Sequence, residues 1–429
     1  MTYLPALVMG VLPITLLVLG VPMFVILLTT AITALVTFMQ VPPQMLPQIM
    51  LGSIDNFVLL AVPGFLFAGE LMGRGSVARR LVDLVQEGVG GVRGSLGVTA
   101  VGTSCIFGAI SGASAACVAT VGKIMLPAMR RGGYPDHFSA GLITAVGAID
   151  IIIPPSIPMI VYGAAASESV ARLYAAGVVP GLLIALIIAA YVIWFARRNN
   201  IPVGEAFRLK RFLPAMWRGG WALGAPAIIL GGIYSGAFSP TEAAAVACVY
   251  SIAVSRFVYA ELSWRDIFEA AGTTAKLTAQ ILIIVASANV FSWLLTVNQV
   301  PATLVHMIDS WHLSKWTILM VLNIALLIVG CVIDPLSAIL VLTPLLVPVI
   351  KQAGIDPVHF GIVFTVNIAI GLFHPPFGIN IFTAQAALKL PLATIYRGIM
   401  PFIVLYLIAL ALITYIPEIS LIGTRWVFN

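Results

Sequence analysis

Asp150, Asp334 and His374 stand inside long apolar runs, each within four residues of a proline. Ionisable groups in such runs are costly and are functional suspects by default. Their chemistry here is that of a cation ligand or a proton carrier. Asp150 comes just before "IIIPPSIPMIVYGAAAS" (151–167), and His374 lies within "GLFHPPFGINIFTAQAA" (371–387). Each stretch carries two adjacent prolines. Proline removes an amide donor and clashes with the preceding turn, so a helix stops there and carbonyls are freed. Free backbone is tolerated at membrane depth only where it is buried in protein or lines a cavity. Carbonyls converging on one spot suit a small dehydrated cation. Other readings stay open: Asp150 as a buried cap on freed amides, Asp334 as a helix cap, His374 as a satisfied hydrogen-bonding group. In "SPTEAAAVA", Glu242 looks buried and reads as part of a helix start capped by Ser239.

The elements that position these residues are membrane helices. Of 429 residues, 61% are hydrophobic and 9% charged, against about 25% charged in soluble domains. The net charge of +6 comes from short basic clusters between apolar spans, which sets orientation and argues against nucleic-acid binding. The start, MTYLPALVMGV, has no basic residue before the first apolar run and reads as retained. Cys105, Cys117, Cys248 and Cys331 read as packing residues, and His306, His312, Trp311 and Trp316 as interface residues. No soluble domain is expected, and the polar stretch of about 197–218 reads as a loop.

A spanning helix needs roughly 20 apolar residues. Ten spans are expected: 3–19, 21–39, 58–72, 140–166, 173–196, 221–235, 241–257, 277–297, 360–388 and 398–416. The runs 94–121 and 316–349 are rich in Gly, Ser, Pro or Asp at their middles and are expected to be re-entrant hairpins. With that assignment, all but Arg172, Lys315, Lys351 and Arg425 of the 22 Lys and Arg residues fall on one side. The positive-inside rule makes that side cytoplasmic and both termini periplasmic.

The halves share a plan. Pro154-Pro155 and Pro375-Pro376 are 221 residues apart, Pro127 matches Pro348, and Gly108 lies opposite Gly330. Repeat 1 (1–218) has three spans, hairpin 94–121, broken helix 140–166 and a last span 173–196. Repeat 2 (219–429) has three spans, hairpin 316–349, broken helix 360–388 and a last span 398–416. Five crossings each make the repeats inverted, and inverted repeats with discontinuous helices mark secondary transporters. Hairpin and half-helix arms of about 12 residues, roughly 18 Å at 1.5 Å per residue, would bring tip and break together mid-membrane. The first tip offers Ser111, Gly112 and Ser114; the second offers Asp334, Pro335 and Ser337.

The motifs "GAISGASAA", "IIIPPSIPMIVYG", "SPTEAAAVA" and "GIDPVHFGIV…GLFHPPFGIN", in order over essentially the whole chain, resemble the large membrane subunit of the TRAP (tripartite ATP-independent periplasmic) transporters. The resemblance implies an all-α, elevator-type transporter of the bacterial inner membrane and sodium-driven uptake of an organic acid. It also implies two partners, a periplasmic substrate-binding protein and a small four-helix membrane subunit. With the motif carry-over, the first candidate cation site comprises Ser111, Gly112, Ser114, Gly147, Asp150 and Pro154. The second comprises Gly330, Asp334, Ser337, Gly371, His374 and Pro375. Ser156, Tyr162, Asn380 and Thr383 are expected to face the substrate, with lipid around the whole. Asp150 stands where the family usually has glycine, and His374 where threonine is common, which leaves room for a proton in place of sodium. The alternatives are a stand-alone sodium- or proton-coupled carboxylate carrier, an ion channel, and an intramembrane enzyme using Asp150 with Asp334. The last needs carboxylates within a few ångströms, and these two belong to opposite repeats.

Overall fold

Runs that are apolar all round become helices enclosed by protein or lipid. The structure, a computed structural model describing residues 5, 7–39, 41–42 and 44–428, has no strand among those residues. A π-turn (Leu7–Val11) leads into α1 (Leu12–Val18), α2 (Met23–Thr37) and α3 (Met45–Ile54). A 3-10 turn (Phe57–Leu60) leads into α4 (Ala61–Arg74), then α5 (Val77–Val89), α6 (Ser95–Ser111) and α7 (Ser114–Arg131). Next come α8 (Asp136–Val146), α9 (Ile157–Ala166), α10 (Val170–Arg198), α11 (Leu209–Tyr234) and α12 (Pro240–Ala253). The second half continues with α13 (Trp264–Val297), α14 (Val300–Ser310), α15 (Lys315–Gly330), α16 (Pro335–Gln352) and α17 (Pro357–Gly371). It ends with α18 (Ile379–Leu388), α19 (Leu392–Tyr415) and α20 (Glu418–Phe428). Six segments among the described residues are long and apolar enough to cross a membrane, α10, α13 and α19 among them.

Both proline pairs interrupt a helix. The first half-helix, α8, tightens into a 3-10 turn over Gly147–Ile151 and resumes as α9. The second, α17, stops at Gly371 and resumes as α18. The leading halves form the centre of the molecule: residues 138–146 and 358–371 are buried throughout. Helices α6 and α7 fold back as a hairpin whose feet meet where Gly132 lies against Leu96. Helices α15 and α16 form the second hairpin around residues 331–334.

The halves interlock. The second arm of the first hairpin, α7, packs along α18, the trailing half-helix of the other repeat. Ser114 meets Asn380 at one end and Gly122 meets Leu388 further along, so the two run in the same direction. The reciprocal pair, α16 and α9, packs likewise, and Lys351 Nζ in the last turn of α16 lies 3.8 Å from Glu168 Oε1 just past α9.

Several expectations need adjusting. The hairpin arms hold 17, 18, 16 and 18 residues rather than about 12. Pro127, Pro344 and Pro348 lie inside their helices, as membrane helices permit when neighbours satisfy the freed groups. The first hairpin therefore runs to Arg131, not 121. The 197–218 loop ends early, because α11 begins at Leu209. The short helices α3, α14 and α20 had no counterpart in the span count. Glu242 is exposed rather than buried; it closes a capping box with Ser239, whose amide donates to Glu242 Oε2 at 2.7 Å.

Helices α8 and α19 cross at glycine. A Cβ on Gly141 would strike the carbonyl of Gly398, and one on Gly398 the carbonyl of His137. Gly141→Val is expected to destabilise the fold by about 1–3 kcal/mol, the usual cost of overpacking, read as a lower thermal midpoint in detergent. An unchanged midpoint would mean that the crossing is loose.

Candidate functional site

Each hairpin arm touches its broken helix at glycine, 221 residues apart in the broken helices. A Cβ on Gly108 would lie 2.6 Å from the Cα of Asp150, and one on Gly371 would strike the carbonyl of Gly330. Asp150 and Gly371 thus occupy matching places, one a carboxylate and the other bare backbone. Any side chain at Gly108 or Gly371 would push the hairpin arm away from the break.

At the first junction, Asp150 is fully buried. The Ser111 hydroxyl donates to its Oδ2 at 3.1 Å, while Oδ1 is buried without a partner among the described residues. Gly112 makes the tip possible: its φ of 59° is the left-handed conformation that favours glycine. Ser114 donates to the carbonyl of Gly147 at 2.8 Å, and Asn380 donates to Ser114 Oγ at 2.8 Å. Pro154 is buried beyond them. Ser111, Ser114, Gly147 and Asp150 are thereby brought together. Their donors are hard oxygens with one orphaned carboxylate oxygen, a set that fits a hard cation.

The second junction differs. Asp334 caps α16, accepting from the Ser337 amide at 3.0 Å, and Ser337 Oγ is buried without a partner among the described residues. His374 Nδ1 lies 2.6 Å from the Pro375 carbonyl and 3.1 Å from Cys331 Sγ. Several freed groups are already engaged: the Leu372 carbonyl accepts from the Asn380 amide at 2.9 Å, and the Pro376 carbonyl from Tyr396 at 3.1 Å. A cavity of about 210 Å³ lies between Gly330, Cys331, Asp334 and Gly371. The capping role of Asp334 and the hydrogen-bonding role of His374 are therefore both realised in the geometry.

Between the junctions is a cavity of about 350 Å³. Both hairpin tips reach it (Gly112–Ala115 and Asp334–Leu336), as do residues beside both breaks (Ile151, Ile157, Leu372 and Ile379). Its far wall is α13, with Leu277, Gln280, Ile281 and Ile284. The four residues expected to face substrate do not line it. Ser156 is buried and donates to the Ile151 carbonyl at 2.6 Å, and the Tyr162 hydroxyl donates to the Pro357 carbonyl at 2.7 Å. Asn380 bridges the repeats, and the half-buried Thr383 bonds back to Ile379 at 2.9 Å.

A buried amide chain escaped the sequence reading. Asn367 Nδ2 donates to Asn323 Oδ1 at 2.7 Å, and Asn323 Nδ2 donates to Thr414 Oγ1 at 3.0 Å. It ties the second hairpin to α17 and α19. Its signal was a lone Asn in each of two apolar runs, neither beside a proline pair nor at a hairpin tip, where the other candidates cluster. Gln280 was missed in the same way.

Two hairpins and two broken helices around a central cavity, in an all-α polytopic chain, define a membrane transporter. The family model of the tripartite ATP-independent periplasmic transporter DctM component matches residues 11–419. The C4-dicarboxylate TRAP transporter large permease protein DctM of Pseudomonas aeruginosa is 42% identical over 372 residues, covering 87% of each chain. The ectoine/5-hydroxyectoine large permease UehC of Ruegeria pomeroyi is 39% identical, covering 95% and 96%. The isethionate permease DctMQ of Oleidesulfovibrio alaskensis is 39% identical over 94% of this chain; the chain spans 64% of that relative's length. In fold, the chain is similar to the YdaH transporter of Alcanivorax borkumensis, with a TM-score of 0.66 and 15% identity over 97% and 99% of the two chains. The chain belongs to the DctM family of TRAP transporter large permease proteins, multi-pass proteins of the bacterial inner membrane. It is a transport permease and not an enzyme.

Gly108→Ala and Gly371→Ala are each expected to wedge a hairpin arm off its broken helix. The cost should be about 1–3 kcal/mol, read as faster proteolysis at the hairpin tip. Equal protease resistance in wild type and both variants would show that the arms are not seated there.

Proposed function

We propose that this chain carries an organic acid across the membrane by elevator motion of the hairpin and broken-helix unit, coupled to a sodium gradient. The observation that carries the reading is the central cavity, which both hairpin tips and both breaks line and which α13 walls off. A solute there touches every element whose backbone is broken, so movement of that unit against α13 would carry solute and cation together. The relatives' names span a sulfonate, dicarboxylates and ectoines, so the class, a small organic acid, is proposed here without the individual compound. A periplasmic binding protein delivers it, and a small four-helix membrane subunit completes the scaffold. Sodium is held at Ser111, Ser114, Gly147 and Asp150, with a second ion beside Gly330, Asp334, Ser337 and Gly371.

Asp150 decides the coupling. A buried carboxylate with one orphaned oxygen and no basic partner is costly as a bare charge. A cation ligand or a carried proton removes that cost. Asp150→Asn keeps the shape and removes the charge, and is expected to reduce gradient-driven uptake at least tenfold with insertion unchanged. Uptake driven by sodium alone and insensitive to pH supports the ligand role. Near-normal uptake by the variant would reduce Asp150 to a partner of the hairpin tip. In proteoliposomes the chain without its partners is expected to take up no solute; uptake by the chain alone would favour the self-sufficient carrier.

Orientation follows from the charge asymmetry. In a cysteine-free background, Glu205→Cys is expected to label only from the cytoplasm and Lys351→Cys only from the periplasm. The opposite pattern at either position would overturn the ten-crossing arrangement.

A further inference from the structure

Helix α5 is amphipathic. Val77, Ala78, Leu81 and Val82 are buried, while Arg79 and Asp83 are exposed and Glu87 is half-buried. Such a helix lies along a membrane surface rather than across it. It packs on the first turns of α11, where a Cβ on Gly219 would touch the Arg80 carbonyl and Leu84. Between the two helices is a cavity of about 360 Å³. Arg80, Asp83 and Glu87 line it from α5; Lys210, Arg211 and Arg218 line it from α11.

Two of these cations are already engaged. Arg80 pairs with Glu261 at 2.7 Å and Arg211 pairs with Glu205. Lys210, Arg218, Asp83 and Glu87 make no ion pair among the described residues. Burial pushes the Asp83 carboxyl up, against the pull of Arg79, Arg218 and Arg80. The cavity thus offers two uncommitted cations facing two uncommitted carboxylates.

The same turns of α11 present a second surface. Leu209, Leu213, Trp217 and Trp221 recur every four residues and are 58%, 57%, 74% and 38% exposed. Spaced this way they form one apolar stripe, and it carries two tryptophans, a residue type enriched at membrane interfaces. Charged cavity and apolar stripe sit side by side on one helix. A free phosphate would use only the cavity. A molecule with a charged head and a hydrocarbon tail uses both.

We propose that the cavity between α5 and α11 is a binding site for a membrane phospholipid with a phosphate and an ammonium in its headgroup, such as phosphatidylethanolamine. Lys210 and Arg218 take the phosphate, Asp83 and Glu87 take the ammonium, and the acyl chains run along Leu213 and Trp217. The lipid would cement the surface helix to α11. This inference is independent of the transport reading, since the cavity shares no lining residue with the central cavity between the hairpins and breaks.

The test is native mass spectrometry of the protein purified from its membrane with its partners. The probes are phosphatidylethanolamine, phosphatidylglycerol and inorganic phosphate. Wild type is expected to retain phosphatidylethanolamine at least tenfold more than the Lys210→Gln, Arg218→Gln double variant. Asp83→Asn with Glu87→Gln is expected to shift the preference toward phosphatidylglycerol. Brominated phosphatidylethanolamine is expected to quench wild-type tryptophan fluorescence more than that of Trp217→Phe, a variant that leaves the charged cavity intact. Equal retention by wild type and the Lys210, Arg218 variant would overturn the site. So would displacement of the lipid by inorganic phosphate, or quenching unchanged by Trp217→Phe.

Discussion

In hydrocarbon, every backbone amide and carbonyl needs a partner inside the protein. The rest of this structure depends on how that demand is met where two helices stop halfway. Around the first break, Ser156 returns to the Ile151 carbonyl and Ser114 takes the Gly147 carbonyl. At the second, the Asn380 amide and Tyr396 take up carbonyls beside Pro375-Pro376. Each break is covered by a hairpin tip, and the glycine contacts at Gly108 and Gly330 bring the covering arm close enough to do so. The hairpins are thus the lids on the two interruptions, and the cavity is the space left where the lids meet.

The two junctions are built alike and equipped differently. The first has a carboxylate with an orphaned oxygen, backed by serine hydroxyls. The second has bare glycine in the matching place, a capping aspartate and a thiol beside an imidazole. Asn380, 221 residues after Met159, ties Ser114 across the repeats, whereas Met159 packs against Gly177. The cross-repeat bond at one junction therefore has no twin at the other.

Much of this was legible in the sequence because it rests on local chemistry. Pro-Pro in an apolar run stops a helix in any context, and Ser-Pro-Thr-Glu starts one; both appear where the residues predict. Middles rich in Gly, Ser, Pro or Asp foretold the hairpins, and the motif order foretold the family. What stayed hidden depends on neighbours. Pro127 read as lying beyond the first hairpin, yet surrounding helices let the chain pass through it to Arg131. Asn380 read as substrate-facing, because position after a break says nothing about which repeat its amide will meet. Asn323 and Asn367 form a pair only because α15 and α17 lie side by side.

The reciprocal packing of α7 with α18 and α16 with α9 is what two identical chains inserted in opposite directions would make as a symmetric dimer. Such a dimer, encoded by one gene, must carry the same residue at both junctions. Joining the copies into one chain lifts that restriction. A carboxylate at 150 and a glycine at 371 can then coexist, each inherited separately. Covalent linkage thereby gives the molecule two unequal junctions within one pseudosymmetric frame, a division of labour that no homodimer could encode.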